Sequence, residues 1–494
     1  MFNILLFMNK NNTIILFFTL LSISLSAQVA LTKAITKFTN DADLSNAGVS
    51  ISIMDVQTGV MVASYNPDRV LTPASSMKVV TTAAALAILN PTYVFKTEIQ
   101  YDGIFNSQTG VLDGNIYLKG FGDPTLGSSE MTSVANLNTV MSQFADAIDK
   151  AGIKKVNGRI VGDGSFFQGI DGIGLTWQWD DIGNYYGAGA YGLNINENYY
   201  FLNLQQVPLL GMQPKIVGTD PFLPEVTFNN RLISAATGTG DNSLIFTPPL
   251  NDESIVRGTI PIGSGTFRVK GSMPDPVFTA AYFLQQKLKT DYKTTFKKGA
   301  ANFEDLKEPI LPRKVIYTQY SPKLSTIVER TNLESVNLYA ESMLRTIGQL
   351  QTNVGIPNTG VDAVKNYWLS KGVDLKGFFM EDGSGLSARS AISSKHLADI
   401  LRVVSNDNAI SATFYESLPK AGETGTLKNM FKGTKAVGKL RAKSGSMTRV
   451  RSYSGFVTRA NGKRWSFSVI VNNYTCSSSE IKSKLQELMV AMCD

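Results

Sequence analysis

Ser75 and Lys78 stand three residues apart in LTPASSMKVVTTAAALAIL, residues 71–89. On a helix, residues at that spacing share a face, so the Ser75 hydroxyl and the Lys78 amine can meet. An amine whose pKa is depressed by burial and by neighbouring positive charge can remove the serine proton. The helix N-terminus adds a positive end that favours the developing negative charge. Alone, S-x-x-K reads equally well as a helix cap followed by a surface lysine. Two later sets change the weighing. Ser335-Val336-Asn337 lies in the helical stretch TNLESVNLYAE, and Lys443-Ser444-Gly445 lies in the strand-like KLRAKSGSM. Singly they are a helix-face serine with a capping Asn, and a basic edge-strand residue before a turn. In this order and context, S-x-x-K, S-x-N and K-[ST]-G together point to a serine nucleophile with a lysine base.

The rest of the composition removes competitors. The chain has one histidine, His396, in SSKHLADI, where it reads as an ordinary helix-surface residue. A Ser-His-Asp triad would have to use it. One His and two C-terminal cysteines do not make a zinc site, and there is no G-x-x-x-x-G-K-[ST] phosphate loop. No metal or cofactor is expected. Lys and Arg number 47 against 40 Asp and Glu, for a net charge of +7. That mild excess reads as a solvated basic surface or a preference for a carboxylate-bearing substrate. No Lys/Arg run is dense enough for nucleic acid. With 43% hydrophobic and 18% charged residues, large-scale disorder is excluded.

Elements that could position these residues follow from the patterning. Lys10, the apolar run 14–21 and the small polar residues 22–27 have the order of a secretory signal peptide, residues 1–27. The alternative is a retained anchor; otherwise at most peripheral membrane contact is expected. Residues 48–66 read as a hairpin turning at Gln57-Thr58-Gly59. Pro73 suits a first helical turn, and the Ala-rich stretch to Leu89 is a buried helix. Residues 96–289 change texture, to Gly, Asn, Asp and short strand-like runs. They read as an insertion of two β-rich subdomains, leaving 28–95 and 290–494 as the catalytic domain. Residues 321–349, 361–371 and 394–404 read as helices. RSYSGFVTR and RWSFSVIVNNY around Asn461-Gly462 read as a hairpin, and Ser479 to Met492 as a last helix. Export would place Cys476 and Cys493 where a disulfide persists. A strand and a helix packed antiparallel could join them, but pairing itself is not readable from sequence.

From about residue 38 to 480 the chain resembles the D-alanyl-D-alanine carboxypeptidase/endopeptidase family, the low-molecular-mass class C penicillin-binding proteins. The resemblance rests on LTPASSMK, on GDPTL at 122–126, on NGRIVGDGSFF at 157–167, on EDGSGLS at 381–387, and on the long interval between Lys78 and Ser335. Ser444 departs from the Thr of many members. Ala388-Arg389 after DGSGLS blurs which position holds a recognition arginine. The resemblance implies an α/β class, an α+β sandwich of the serine β-lactamase/transpeptidase type with a large β-rich insertion. It implies a penicillin-inhibited acyl-enzyme acting on peptidoglycan stem peptides in the periplasm, with β-lactam antibiotics as further ligands.

Residue roles come with it. Ser75 attacks the carbonyl of the penultimate D-Ala and Lys78 takes its proton. Ser335 relays a proton to the leaving amine, and Asn337 orients Lys78 or the substrate amide. Lys443 and Ser444 hold the terminal carboxylate. Backbone N–H groups of Ser75 and Ser446 hold the oxyanion, and Gly445 leaves room for a substrate strand. Asp382 reads as turn chemistry shaping the site wall. In the loop TWQWDDIGNYYGAGAYGLNINEN, 176–198, the resemblance places a diamino-acid pocket at Asp181 and Tyr186, with Arg389 and Thr448 as weaker candidates. The bland reading of that loop is a structural aromatic cluster with solvated acids. A β-lactamase and a non-catalytic wall-binding or antibiotic-sensing module remain alternatives. Carboxypeptidase and endopeptidase action are not separated.

Overall fold

The strands Val450–Thr458 and Arg464–Asn472 alternate through their middle. Tyr453, Val457, Phe467, Val469 and Val471 point one way, and Ser452, Ser454, Ser466 and Ser468 the other, all buried. Period-two alternation usually marks a sheet with one face in water; here both faces are covered. In the computed structural model, which describes residues 29–168, 172–307, 309 and 311–493, these strands lie inside a five-stranded antiparallel sheet. Its order is Met61–Tyr65, Gly48–Asp55, Arg464–Asn472, Val450–Thr458, Leu440–Met447. The expected leader, 1–27, lies outside the described residues. Gly48–Asp55 pairs with Arg464–Asn472 along its whole length, so the two ends of the chain close one sheet.

The apolar face packs against the helix over 29–39 and the C-terminal helix Ser478–Ala491, through Leu31, Ile35, Ile481, Leu485 and Met489. The serine face receives the helix Ser394–Ser405. Ser50 and Ser52 both meet the Ser394 hydroxyl, at 2.7 and 2.8 Å. Small hydroxyl side chains let that helix approach while bonding one another. Behind it lies Lys78–Leu89, buried along residues 78–86, as expected of a helix apolar on every side. Leu324–Glu334, Asn337–Thr352 and Pro357–Ser370 surround it. The fold class is the expected α/β arrangement, with helices on both sides of an antiparallel sheet.

The insertion differs from expectation in three ways. Strand Lys314–Tyr320 pairs antiparallel with Lys96–Tyr101 in a five-stranded sheet with Ile116–Gly120, Ile160–Asp163 and Ala301–Asn302. The chain therefore leaves and re-enters the catalytic domain through neighbouring strands, and the boundary expected at 289/290 moves to about residue 320. The insertion also carries two long helices, Leu137–Lys150 and Pro276–Asp291, capped by Asn136 and Asp275. Finally, one apolar cluster runs from Ile99 and Leu118 to Leu232 and Val256. Two separately cored subdomains are not what the packing produces.

Other differences are local. His396 is buried, not on a helix surface. Its Nδ1 accepts the Ser393 N–H at 3.1 Å while the Ser393 hydroxyl accepts the His396 N–H, which closes a capping box. The expected helical stretch 321–349 breaks at Ser335. Cys476 and Cys493 are not joined in a disulfide. Cys476 sits just before the C-terminal helix and Cys493 just after it, so the helix holds them apart. At 1.5 Å per residue that separation is roughly 20–25 Å, against the ~6 Å between Cα atoms that a disulfide needs. Mass spectrometry of the protein unfolded and alkylated without reductant is expected to find two alkylated cysteines.

Candidate active site

Ser75 lies in a 3₁₀ turn, Ala74–Met77, that leads directly into Lys78–Leu89. Ala74 has φ 47°, a left-handed conformation that non-glycine residues adopt only when their surroundings hold them. The surroundings are close. A Cβ on Gly385 would lie 1.9 Å from the Ala74 carbonyl oxygen, and one on Gly445 would lie 2.5 Å from that of Pro73. Both glycines are required because two chain segments press on the nucleophile turn. Beneath it, the Ser452 hydroxyl donates to the Pro73 carbonyl at 2.6 Å and meets the Ser76 hydroxyl at 2.7 Å. Ser76 is wholly buried and engaged, whereas Ser75 lines an open cleft of about 1080 Å³.

Lys78 is fully buried, and its Nζ has three partners: Ser75 Oγ at 2.9 Å, Asn337 Oδ1 at 2.5 Å and the Ser384 carbonyl at 2.8 Å. Burial pulls its pKa down to about 7, against the opposing pull of Asp382 and Glu341. A fraction of the amine is therefore neutral near pH 7, and a neutral amine 2.9 Å from Ser75 Oγ is placed where it can accept a proton. Lys443, also fully buried, donates from Nζ to Ser335 Oγ and to the Ser444 carbonyl, both at 2.8 Å. Burial, and then Lys78, hold its pKa well below the usual lysine value. Ser335 is the left-handed residue, φ 62°, that ends Leu324–Glu334, and Asn337 begins the next helix. The break that sequence periodicity missed is thus the feature that aims both side chains into the cleft.

The five expected catalytic residues come together in two linked groups: Ser75, Lys78 and Asn337, and Ser335 with Lys443. Ser444, Gly445 and Ser446 lie on the outer strand of the catalytic sheet, Leu440–Met447. Ser444 Oγ donates to Thr426 Oγ1 at 2.8 Å, and Ser446 lines the cleft beside Ser75. Asp181, Tyr186 and Thr448 line the same cleft. Burial, and then Asp180, push the Asp181 carboxyl up to about 6. Arg389 is the exception. It is exposed and is not among the residues lining the cleft, because the turn after Ser387 carries it away.

Asp382, with several residues that sequence reasoning passed over, completes the site. Both oxygens of the buried Asp382 are occupied, by the N–H groups of Gly385 at 2.8 Å and Ser387 at 2.7 Å and by the Trp177 indole at 2.9 Å. It is the turn-former expected, and it also anchors the loop from the insertion. Thr176 adds a bond to Ser387 at 2.7 Å. Glu341 accepts the N–H groups of Gly383 and Ser384, at 3.2 and 2.7 Å, under the carbonyl that receives Lys78. Burial, with Asp382 beside it, pushes its carboxyl up to about 7. Glu341 stands four residues after Asn337, on the same helix face; that spacing was the one available signal.

Comparison with known proteins agrees with this geometry. The model of the D-Ala-D-Ala carboxypeptidase 3 (S13) family matches residues 31–493. The chain is 26% identical over 445 residues to a D-alanyl-D-alanine carboxypeptidase of Actinomadura sp. (strain R39), covering 88% of this chain and 79% of that protein. It is 25% identical over 451 residues to the D-alanyl-D-alanine carboxypeptidase DacB of Haemophilus influenzae, covering 90% and 89%. The crystal structure of penicillin-binding protein 4 of Haemophilus influenzae superposes with a TM-score of 0.76 at 22% identity, covering 92% of this chain and 97% of that one. The same protein complexed with a β-lactam gives a TM-score of 0.72 at 21% identity. A family match that runs from the first helix to the last, over a serine–lysine site assembled from three motifs, leaves one conclusion: the chain belongs to the D-Ala-D-Ala carboxypeptidase 3 (S13) family of serine-type peptidases.

Proposed function

We propose that Ser75 is the nucleophile and Lys78 its base in the hydrolysis of D-alanyl peptide bonds of peptidoglycan stem peptides, through an acyl-enzyme that penicillin also forms. The observation that carries this reading is the fully buried Lys78 with its Nζ 2.9 Å from Ser75 Oγ and its pKa pulled to about 7. The neutral amine takes the Ser75 proton as Oγ attacks the carbonyl carbon. The oxyanion forms near the backbone N–H groups of Ser75 and Ser446. Ser335, which accepts from Lys443, relays the proton: it gives its own to the leaving amine and regains one from the Lys78 ammonium, which returns Lys78 to the neutral form, while Asn337 holds that amine in line. The acyl bond to Ser75 is then hydrolysed by water. The buried Lys443 amine is a hydrogen-bond donor whose charged form an incoming carboxylate would favour, and with the Ser444 and Thr426 hydroxyls it suits a terminal carboxylate. This favours carboxypeptidase action, and endopeptidase action on cross-linked peptides is the second reading. The apolar N-terminal run supports export, with the periplasm as the working compartment. Among the described residues no helix is long and apolar enough to cross a membrane. Mass spectrometry after incubation with a cell-wall pentapeptide and a cross-linked dimer identifies the bond cut.

Ser75→Ala is expected to abolish covalent labelling by penicillin. Ser76→Ala is expected to keep it and to lose only about 1 kcal/mol of stability with the Ser452 contact. Lys78→Arg is expected to lower acylation by at least about 10²-fold, since a guanidinium is no base at neutral pH.

The acylation rate is also expected to depend on pH. Lys78 must be neutral to act, so the rate constant falls as pH drops below about 7, approaching tenfold per unit. Because Glu341 and Asp382 face the same amine, this limb is the macroscopic titration of the cluster. A stopped-flow profile flat from pH 5 to 8 (roughly two units below to one above a base titrating near 7) would contradict it.

Asp181, with Tyr186 beside it, is proposed to pair with the side-chain ammonium of a diamino acid in the stem peptide. Its raised pKa favours this, because a bound cation relieves the cost of a half-buried carboxylate. Asp181→Ala is expected to raise KM for diamino-acid peptides and to leave penicillin acylation almost unchanged, since penicillin lacks that group. Equal loss on both substrates would make Asp181 structural.

A further inference from the structure

The segment NINEN, residues 194–198, turns through three consecutive left-handed residues, Asn196, Glu197 and Asn198, with φ of 51°, 52° and 51°. Such residues normally occur singly, since each is unfavourable for an L-amino acid. Here asparagine amides hold the turn. Asn198 Nδ2 donates to the Gly189 carbonyl at 2.9 Å and to Asn194 Oδ1 at 2.7 Å, and its Oδ1 accepts the Ile195 N–H at 2.9 Å. Asn196 Nδ2 donates to the Tyr199 carbonyl at 2.9 Å.

The turn directs Glu197 out of the insertion and into the catalytic domain, where it is buried. Its Oε1 accepts from the Ser128 hydroxyl at 2.5 Å and the Tyr339 hydroxyl at 2.8 Å. Arg330 Nη2 donates to both its oxygens, at 3.0 and 3.1 Å. Arg330 belongs to Leu324–Glu334, the helix that ends at Ser335, and Tyr339 to the first turn of Asn337–Thr352. One carboxylate therefore grips the helix before Ser335 and the helix after it. Between the grips the backbone leaves helical geometry at Ser335 and Val336, so the angle between the two helices decides where Ser335 Oγ and Asn337 Oδ1 point. Asn337 has a second tie to the insertion, from Nδ2 to the Tyr186 carbonyl at 2.7 Å.

We propose that Glu197 is a positioning residue of the catalytic site, a clamp by which the inserted domain fixes the Ser335–Asn337 junction and through it the Lys78 amine. This rests on the roles proposed above for Ser335 and Asn337. It makes the insertion a working part of the acylation machinery and not only a wall of the cleft. A clamp of this kind acts on the reaction step more than on substrate binding. Its loss lowers kcat and the penicillin acylation rate together and leaves KM nearly in place.

The test compares Glu197→Gln and Tyr339→Phe with the parent in the full chain, using penicillin acylation, kcat and KM on a D-Ala-D-Ala peptide, and thermal melts. Glu197→Gln removes the charge that Arg330 faces; Tyr339→Phe removes one hydrogen bond and leaves the ion pair. In folded Glu197→Gln, acylation and kcat are expected to fall about tenfold or more with KM moving less than about threefold, and in Tyr339→Phe by about threefold, since small misplacement of reacting groups carries costs of this order. A merely structural Glu197 would lower the melting temperature and leave the rate per folded molecule unchanged. Rates within about twofold of the parent in both folded variants overturn the proposal; should Glu197→Gln not fold, Tyr339→Phe alone decides by the same limit. Ser335→Ala and Asn337→Ala separate the two ideas. If they are slow and the clamp variants are not, the clamp is wrong. If they react at full rate, the catalytic roles of the junction are wrong and the clamp falls with them.

Discussion

Lys78 Nζ sits out of water with Ser75 Oγ, Asn337 Oδ1 and the Ser384 carbonyl around it. Removing an ammonium from solvent costs several kcal/mol unless its hydrogen bonds are replaced. One replacement is three residues away, and the other two lie 259 and 306 residues along the chain from Lys78. They must be delivered together, or the lysine is left unsatisfied in an apolar core. That requirement accounts for much of the architecture. The helix Lys78–Leu89 is buried on every side, the two-helix junction brings Asn337, and the DGSGLS turn, held by Asp382 and Glu341, brings a carbonyl. The arrangement leaves the amine solvated well enough to stay buried and poorly enough to give up its proton near neutral pH.

The antiparallel sheet makes the close approach possible. Its inner face is lined with serines, and small side chains bring helices and the nucleophile turn near the strands. Gly445 continues this on the outer strand, where a Cβ would collide with Ser452 Oγ at 2.3 Å as well as with Pro73. The glycine expected to leave room for a substrate strand is needed by the Ser75 turn itself. A substitution there alters both sides of the strand, so its effect on activity cannot be read as a substrate contact alone.

The residues that meet around Ser75 and Lys78 were legible because local spacing relates them. Three residues along a helix join Ser75 to Lys78, and K-[ST]-G on an edge strand is visible as a strand. The long-range contacts were not legible. Trp177 reaching Asp382, Thr176 reaching Ser387 and Glu197 spanning Arg330 and Tyr339 join residues that no periodicity relates. The helical pattern of 321–349 hid the break at Ser335, because apolar spacing continues on both sides and one left-handed residue leaves no mark on it. Helices in the insertion were hidden by their Gly- and Asn-rich surroundings, although Asn136 and Asp275 were visible caps. The cysteine geometry failed for a simple reason: Cys476 lies at the junction of strand and helix, so the helix carries Cys493 away from it.

The cleft is polarised. Asp180 and Asp181 line it from the insertion; Ser75, at the positive N-terminus of the nucleophile helix, and Ser335, which Lys443 backs, line it from the catalytic domain. In the proposed function, a stem peptide ends in a carboxylate and carries an ammonium a few bonds earlier, so its charges match both sides in one orientation only. Penicillin carries the carboxylate and a strained amide but no such ammonium, and can use only the cationic side. Binding at the acidic side therefore contributes orientation for the peptide and nothing for the drug. The acidic side belongs to the insertion, which is tied to the nucleophile region through Trp177–Asp382, Tyr186–Asn337 and Glu197–Arg330. A domain that only shielded the cleft would not need three buried or half-buried polar ties to the catalytic domain. Each tie is costly if left half-made, and together they keep the recognition side of the cleft in register with the amine that takes the proton.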